Sequence, residues 1–462
     1  MKEISARLGK EKISKLLISL SVPATMGMIV NALYNLVDTI FVGRGVGAIA
    51  IGALTVSFPI QMIIMAFAIM IGMGSASAIS RSLGAKNVER ADNITGNSFV
   101  SIVFFSSVIA ILGLTFTEPL LRLVGATDTI MPYARDYITI IFYGSVFRSF
   151  AMSTNNLIRA EGNAKVAMIS MIIGAGSNIV LDPIFIFIFK LGVKGAALAT
   201  IIAQFFAFLY IMRYLYSGKS SLKVKFHHLK PRLDIIKEII TVGMASFFRH
   251  ISGGIAGIIV NSSLSILGGD IALIVVGILH RVTMFIFMPL FGVVQGMQPI
   301  IGFNYGAKKY ERVKETIKIS ILVTTLLATL GWFFIELFPS LIFNIFTSES
   351  EVVEKGIPVI RIVISMIPVI GIQIVGAALF QSLGKAVPTL ILSLLRQVLL
   401  FIPLVIILPR VFGLGIMGIW ISYPIADVLS VILTVFYLRS ELKKINLWFH
   451  GSVVREGLAD SI

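Results

Sequence analysis

Four polar side chains interrupt the first long apolar stretch of the chain: Asn31, Tyr34, Asn35 and Asp38. Their spacing of i, i+3, i+4 and i+7 puts all four on one face of a helix. A second group stands further on, where Asn178 and Asp182 are four apart, Gly174 lies a turn earlier and Pro183 follows at once. Thr200 and Gln204 form another i, i+4 pair, and Tyr137 precedes Asn155 and Asn156 on a helix between the two groups. Two carboxylates among amide and hydroxyl oxygens can do two kinds of chemistry. Brought into one space, they disfavour each other's charge and take up a proton as a pair. The same all-oxygen set can hold a hard cation such as Na⁺. The structural alternatives are a hydrogen-bonded seam between helices for the two Asn and a helix-end cap for Asp182. Pro183 removes a backbone donor, so a bend is expected there, freeing carbonyl oxygens beside Asp182.

The segments that carry these groups are apolar, and an ionisable group within such a segment costs roughly 2.5–3.5 kcal/mol to place in a bilayer. Of 462 residues, 57% are hydrophobic and 13% charged, with a mean hydropathy of +0.95. A soluble chain of this length needs far more polar surface, so a bilayer must solvate much of it. Runs long enough to cross about 30 Å of hydrocarbon fall at 15–42, 51–80, 94–117, 131–158, 166–189 and 195–216. A second six fall at 236–266, 271–303, 316–343, 356–381, 388–410 and 415–438. The first run follows a basic start and continues past Val42, too long for a signal-peptide core, so it is expected to be a span rather than a leader.

The net charge of +16 fits either a nucleic-acid surface or loops obeying the positive-inside rule. Distribution decides. Arg81, Lys86 and Arg90, then Lys219, Lys223, Lys225, Lys230 and Arg232, then Lys308, Lys309, Arg312 and Lys314 all fall in alternate loops on one side. That side is expected to be the cytoplasm, with both termini on it, and no nucleic-acid partner is expected. The absence of cysteine excludes disulfides, thiolate metal sites and thiol chemistry.

The two sets of six match. Gly84-Ala85-Lys86 with Glu89-Arg90 recurs as Gly306-Ala307-Lys308 with Glu311-Arg312, an offset of 222. Gly162 and Ala164 recur as Gly384 and Ala386, and Leu191-Gly192 with Gly195 as Leu414-Gly415 with Gly418. Glu118-Pro119 has a fainter echo in Phe338-Pro339. The expected fold is therefore all-α and integral to the membrane, with twelve transmembrane helices in two pseudo-twofold-related lobes around a central cavity. The lobes are placed at 1–216 and 235–440, joined by a cytoplasmic linker at 217–234 and followed by a cytoplasmic tail at 441–462.

Within this frame the stretch from Pro23 through Asn31-Ala-Leu-Tyr34-Asn-Leu-Val-Asp38 to Gly43 resembles a known family, as do Arg159-Ala-Glu161-Gly162 and Asn178-Ile-Val-Leu-Asp182-Pro183. With the Gly84-Ala85-Lys86 loop, they resemble the MATE multidrug and toxic compound extrusion transporters, most nearly the DinF-like branch. The resemblance covers essentially the whole chain. It implies an antiporter of the cell's inner (plasma) membrane that exports small amphiphilic, often cationic compounds in exchange for H⁺ or Na⁺. It implies no other cofactor, and a monomer is expected. By resemblance, Asp38, Asn178, Asp182 and Thr200 match the cation-coupling cluster, and Asn31, Tyr34, Tyr137, Asn155 and Gln204 match residues of the first-lobe cavity. Met70 and Met288 are added as cavity candidates, because flexible thioethers suit promiscuous binding.

The second half lacks the duplicated carboxylates. Val260 falls opposite Asp38 and Leu404 opposite Asp182. Its mid-span charges include Arg396 and Asp427, on consecutive spans, which are expected to form a structural ion pair. Arg249, Arg281 and Arg396 also leave open a flippase for a lipid-linked oligosaccharide, with the cations on a pyrophosphate head. An intramembrane enzyme would need a metal-binding His pair or a nucleophile motif, and none is present. His250 and His280 are too scattered for metal ligands.

Overall fold

A computed structural model of the chain describes residues 3–459, which are helical almost throughout with no strand among the described residues. Met1 and Ile462, both expected at the basic face, lie outside the described residues. Ten helices are long and apolar enough to cross a membrane. One of them, Leu233–Gly306, breaks at Gly269, where φ is 62°, and so folds back as two arms. Met131–Ala160, 30 residues long, crosses beside them; Arg135, Asp136 and Arg148 dilute its hydropathy without shortening it. That makes twelve crossings. The first lobe holds α1 (Ile13–Gly45), α2 (Ala48–Gly84), α3 (Val88–Thr115), α4 (Met131–Ala160), α5 (Ala164–Pro183) and α6 (Val193–Tyr216). The second holds α7 (233–268), α8 (270–306), α9 (Tyr310–Leu337), α10 (Ser350–Ile364 with Ile370–Ser382), α11 (Ala386–Arg410) and α12 (Gly415–Ala459).

The repeat seen in side chains is also written in the backbone. Left-handed residues recur at nearly one offset: Gly47 with Gly269, Lys86 with Lys308 and Gly162 with Gly384 at 222, and Gly192 with Gly415 at 223. Each terminates or opens a helix, where a positive φ reverses the chain. That two lysines accept this conformation, at φ 61° and 56°, shows how strictly the α2–α3 and α8–α9 turns are specified. Short helices Thr117–Leu123 and Pro339–Phe346 occupy matching places after α3 and α9.

The expected end of the second lobe and the linker each take a definite structure. Helix α12 runs unbroken from Gly415 to Ala459, so residue 440 is interior to it, and Glu441 is buried and paired with Lys385 at 2.5 Å. The turn that carries Glu441 and Ile445 packs on the lobe. The linker likewise packs down. Ser220, Ser221, Leu222 and His228 are buried, and the Glu161 carboxylate accepts from Tyr214 Oη, Ser220 Oγ and the Ser221 N–H.

The lobes meet through α1 and α2 of the first and α7 and α8 of the second, and their contacts lie toward the basic face. Here the backbones nearly touch. A β-carbon at Gly74 would stand 1.9 Å from the Ile239 carbonyl oxygen, and one at Gly84 would stand 1.9 Å from that of Phe303. Glycine alone permits the approach. Side chains lock the same region. Glu238 bridges Arg81 at 2.8 Å and Arg90 at 2.7 Å, and Arg312 and Lys309 donate to carbonyls of residues 8, 9 and 11. Moving away from that face, Phe67 still packs on Phe247 and Gln295 still reaches Met28. Farther along α1, Asn31 and Asn35 are exposed on the side that Met28 presents to the second lobe. A cleft between the lobes thus opens at the far face and is sealed at the basic face.

Candidate functional site

Helix α1 presents its polar stripe to two places. Tyr34 and Asp38 are buried within the first lobe, whereas Asn31 and Asn35 are exposed. Met28 touches the second lobe, and Asn31 and Asn35 lie three and seven residues beyond it on the same side of the helix. They therefore line the cleft where the second lobe has drawn away. Asn35 Nδ2 donates to the Asn31 carbonyl at 2.8 Å, which holds its amide against the helix.

Helix α5 brings Asp182 opposite Asp38. Asp182 is fully buried, Asn178 and Thr200 nearly so. Asn178 Nδ2 lies 3.3 Å from Asp182 Oδ1 and 3.4 Å from Thr200 Oγ1, joining α5 to α6. Asp38 of α1 and Asp182 of α5 are near neighbours in the buried interior where those helices pack. Three buried oxygens of this group have no partner: Asp38 Oδ1, Asp182 Oδ2 and Asn178 Oδ1. An unpartnered buried acceptor normally costs about 1–3 kcal/mol, more when charged. A proton or a hard cation relieves that cost, and no side chain here does so. Beyond Pro183 the helix widens into a π turn, Ile184–Ile188, before it ends. The expected disturbance at the proline is therefore a change of helical pitch just past Asp182.

Tyr137 is buried in the same region of the first lobe, near Asp38 and Tyr34. Two neighbours escaped the sequence-based site. Arg148 of α4 donates from Nη1 to Gln61 Oε1 of α2 at 2.6 Å, and its charge reaches both Tyr34 and Tyr137. Arg148 stands out in the sequence as a mid-span charge, but nothing in its spacing connects α4 with α1. Gln204 is half-buried against Gly174, one turn along α6 from Thr200. Asn155 is placed elsewhere. Its Nδ2 donates to the Ala167 carbonyl at 2.8 Å and to Ser170 Oγ at 2.7 Å, while its Oδ1 accepts from Arg159. With its amide spent on the α4–α5 seam, it has nothing left to offer a ligand. Met70 is buried in the sealed half, its carbonyl against Gly243.

Known proteins share the two-lobed fold. The MatE family model matches the chain twice, at residues 23–184 and 246–407, one match to each lobe. The chain belongs to the MATE family. Among curated relatives, the multidrug export protein MepA of Staphylococcus haemolyticus is 27% identical over 431 residues, covering 93% of this chain and 94% of that protein. MepA of Staphylococcus aureus is 26% identical over 436 residues, covering 94% and 96%. Among solved structures, MATE in the bent conformation superposes with a TM-score of 0.91 at 28% identity over 96% of this chain and 99% of that one. An outward-facing multidrug resistance MATE transporter gives 0.89 at 29% identity, covering 95% and 98%.

The second lobe of this MATE protein carries a different cavity. About 200 Å³ in volume, it is walled by Val260, Leu279, Phe287 and Phe401, with Arg396, Tyr423 and Asp427 among its polar residues. Arg396 Nε donates to Asp427 Oδ1 at 2.5 Å, so the expected ion pair forms. Arg396 lies in a π-helical stretch of α11, Leu395–Phe401. Met288 of α8 is buried in this lobe. At the basic face Glu89, His227 and His228 bring three ligand atoms within 4.8 Å of one another. His228 Nδ1 accepts from the Lys225 N–H at 3.0 Å, so Nε2 carries the proton and donates to Glu89 at 3.0 Å. A ring in that tautomer has no free lone pair for a metal, and the trio ties the linker to α3.

Proposed function

We propose that this MATE transporter exports amphiphilic, often cationic compounds by alternating access, coupled to inward movement of a cation taken up at Asp38 and Asp182. What supports the reading is one arrangement: two neighbouring buried carboxyls with three unpartnered oxygens, beside a cleft that is open at one face only. The MepA relatives are multidrug export proteins. The basic face is taken as cytoplasmic by the positive-inside rule, which makes the present state outward-open and puts both termini inside.

A cation entering from outside neutralises the pair. The space between α1, α5 and α6 then needs less polar solvation, and α1 can bend at Pro23, within its inner half, closing over the region where drug was held. The proton is preferred to Na⁺, because the cluster offers few ligands for a hard cation. The DinF-like placement rests on the α1 and α5 motifs and points the same way. A flippase for lipid-linked oligosaccharides would need several cations on one pyrophosphate; of Arg249, Arg281 and Arg396, the second-lobe cavity is lined by Arg396 alone.

Purified protein in liposomes, loaded with dye and given imposed pH or Na⁺ gradients, tests coupling directly. Efflux is expected to follow the pH gradient at constant Na⁺. Efflux that needs a Na⁺ gradient and ignores pH reverses the choice of ion while leaving the site intact. Topology is read by cysteine labelling against a chain with no native cysteine. Exposed Lys219 is the position to use, since Ser220 is buried against Glu161.

A further inference from the structure

We propose that the second-lobe cavity is a separate binding site for an amphiphilic anion, whose carboxylate or phosphate head is held by Arg396 and whose chain lies on the apolar wall. Two polar residues that line the cavity, Arg396 and Tyr423, hold donors without an acceptor. Arg396 retains 31% side-chain exposure, whereas its partner Asp427 has 1%; the guanidinium faces the space and the carboxylate sits behind it. Only Nε engages Asp427, which leaves the terminal N–H groups for a ligand, in the fork geometry that suits a carboxylate or phosphate. Tyr423 also lines the cavity, and its hydroxyl is buried without a partner. Thr283, another lining residue, already spends its proton on the Leu279 carbonyl at 2.8 Å. A cation entering here meets Arg396 before Asp427 and is repelled.

The wall supplies the tail's share. Phe287 lies under the Arg396 guanidinium at 5.9 Å, and Phe401 packs on Tyr423 at 4.5 Å between ring centres. Along α7 the glycines leave the wall open. A β-carbon at the lining Gly257 would meet nothing within 4 Å, unlike the glycines of the sealed lobe contact. Gly257 is therefore not required for packing; it keeps the cavity wide. The head chemistry is shared by free fatty-acid-like amphiphiles and by anionic phospholipids. The site does not depend on cation coupling in the first lobe.

The test uses full-length protein in phosphatidylcholine nanodiscs, with 11-(dansylamino)undecanoic acid as the probe and its methyl ester as the uncharged control. The acid is expected to bind at least tenfold more tightly than the ester to the unaltered protein. Equal affinity overturns the proposal without recourse to any variant. Arg396→Met is expected to bring the acid down to the level of the ester. Asp427→Asn, which releases Arg396, is expected to strengthen acid binding. Gly257→Leu, which fills the space without touching the ion pair, is expected to weaken acid and ester alike; full binding there also overturns the site. Replacing part of the lipid by phosphatidylglycerol separates the sources: displacement of the probe assigns the site to lipid headgroups, and retention assigns it to free amphiphilic acids.

Discussion

The two lobes share a backbone down to single left-handed residues, and yet their interiors have opposite polarity. In the first lobe α1 and α5 place Asp38 and Asp182 as near neighbours, with oxygens that nothing satisfies. In the second lobe Val260 and Leu404 stand at the matching positions; the one carboxylate lining the cavity, Asp427, is neutralised by Arg396 at 2.5 Å. A duplicated scaffold thus holds one group that needs an external cation and another that has an internal one. The backbone was retained because twelve helices must close around a cleft. The polar pairs that cross between the lobes lie at the basic face, Glu238 with Arg81 and Arg90 among them, whereas the Asp38–Asp182 group and the Arg396–Asp427 pair each lie within one lobe.

The largest effect follows from that contrast. Asp38→Asn and Asp182→Asn are each expected to abolish gradient-driven export, a loss of a hundredfold or more, in protein that still extracts and elutes as a single species. Normal drug resistance in cells carrying either variant would remove the coupling role from the first lobe. A second effect distinguishes two classes of glycine. Gly74→Val forces a side chain into the Ile239 carbonyl, 1.9 Å from the β-carbon position, and overpacking of this kind costs about 1–3 kcal/mol or more. The sealed arrangement at the basic face should lose population roughly tenfold, and export should fall with it. Gly254→Val, whose β-carbon meets nothing, should leave export within twofold. Labelling of a cysteine placed near the seal measures the shift.

Much of this was legible in the sequence, and the parts that were not share a cause. The i, i+3, i+4, i+7 stripe in α1 and the Asn178–Asp182 pair were readable because helical periodicity converts spacing into a shared face. The repeat was readable because turns that need a left-handed residue keep their Gly and Lys. What spacing cannot give is the contact between helices. Gln61 and Arg148 reach the Tyr34–Tyr137 region from α2 and α4, and no spacing along the chain connects those helices. Asn155 erred in the other direction: it belongs to a polar-looking helix but spends its amide on the α4–α5 seam. Met70 looked like flexible cavity lining and is instead part of the tight seal between lobes.

A smaller effect, of opposite sign in the two lobes, tests the same comparison through stability. Removing one partner of a buried ion pair costs about 3–5 kcal/mol, and less where one member keeps some exposure, as Arg396 does. Asp427→Asn should therefore lower the melting temperature. Asp182→Asn removes a charge that has no cationic partner within hydrogen-bonding distance, so it should leave the melting temperature unchanged or raise it. If both variants fall by the same amount, the lobes do not differ in the way described.

The smallest effect concerns Thr200 and separates the two ions without altering either carboxylate. Thr200 Oγ1 lies 3.4 Å from Asn178 Nδ2 and adds one neutral oxygen to the cluster. Thr200→Val keeps the shape of the side chain and deletes that oxygen. If a proton is the ion, the two carboxyls carry it between them. The variant then loses only a weak hydrogen bond of about 0.5–1.5 kcal/mol, and pH-driven efflux should fall less than threefold. A hard cation behaves otherwise, because it takes its ligands by number and at short range. In a cluster this sparse, deleting one oxygen weakens Na⁺ binding severely. Efflux of Thr200→Val that collapses more than tenfold, and recovers on raising external Na⁺, would therefore favour Na⁺. A mild loss that Na⁺ does not alter would leave the proton as the ion shared by Asp38 and Asp182.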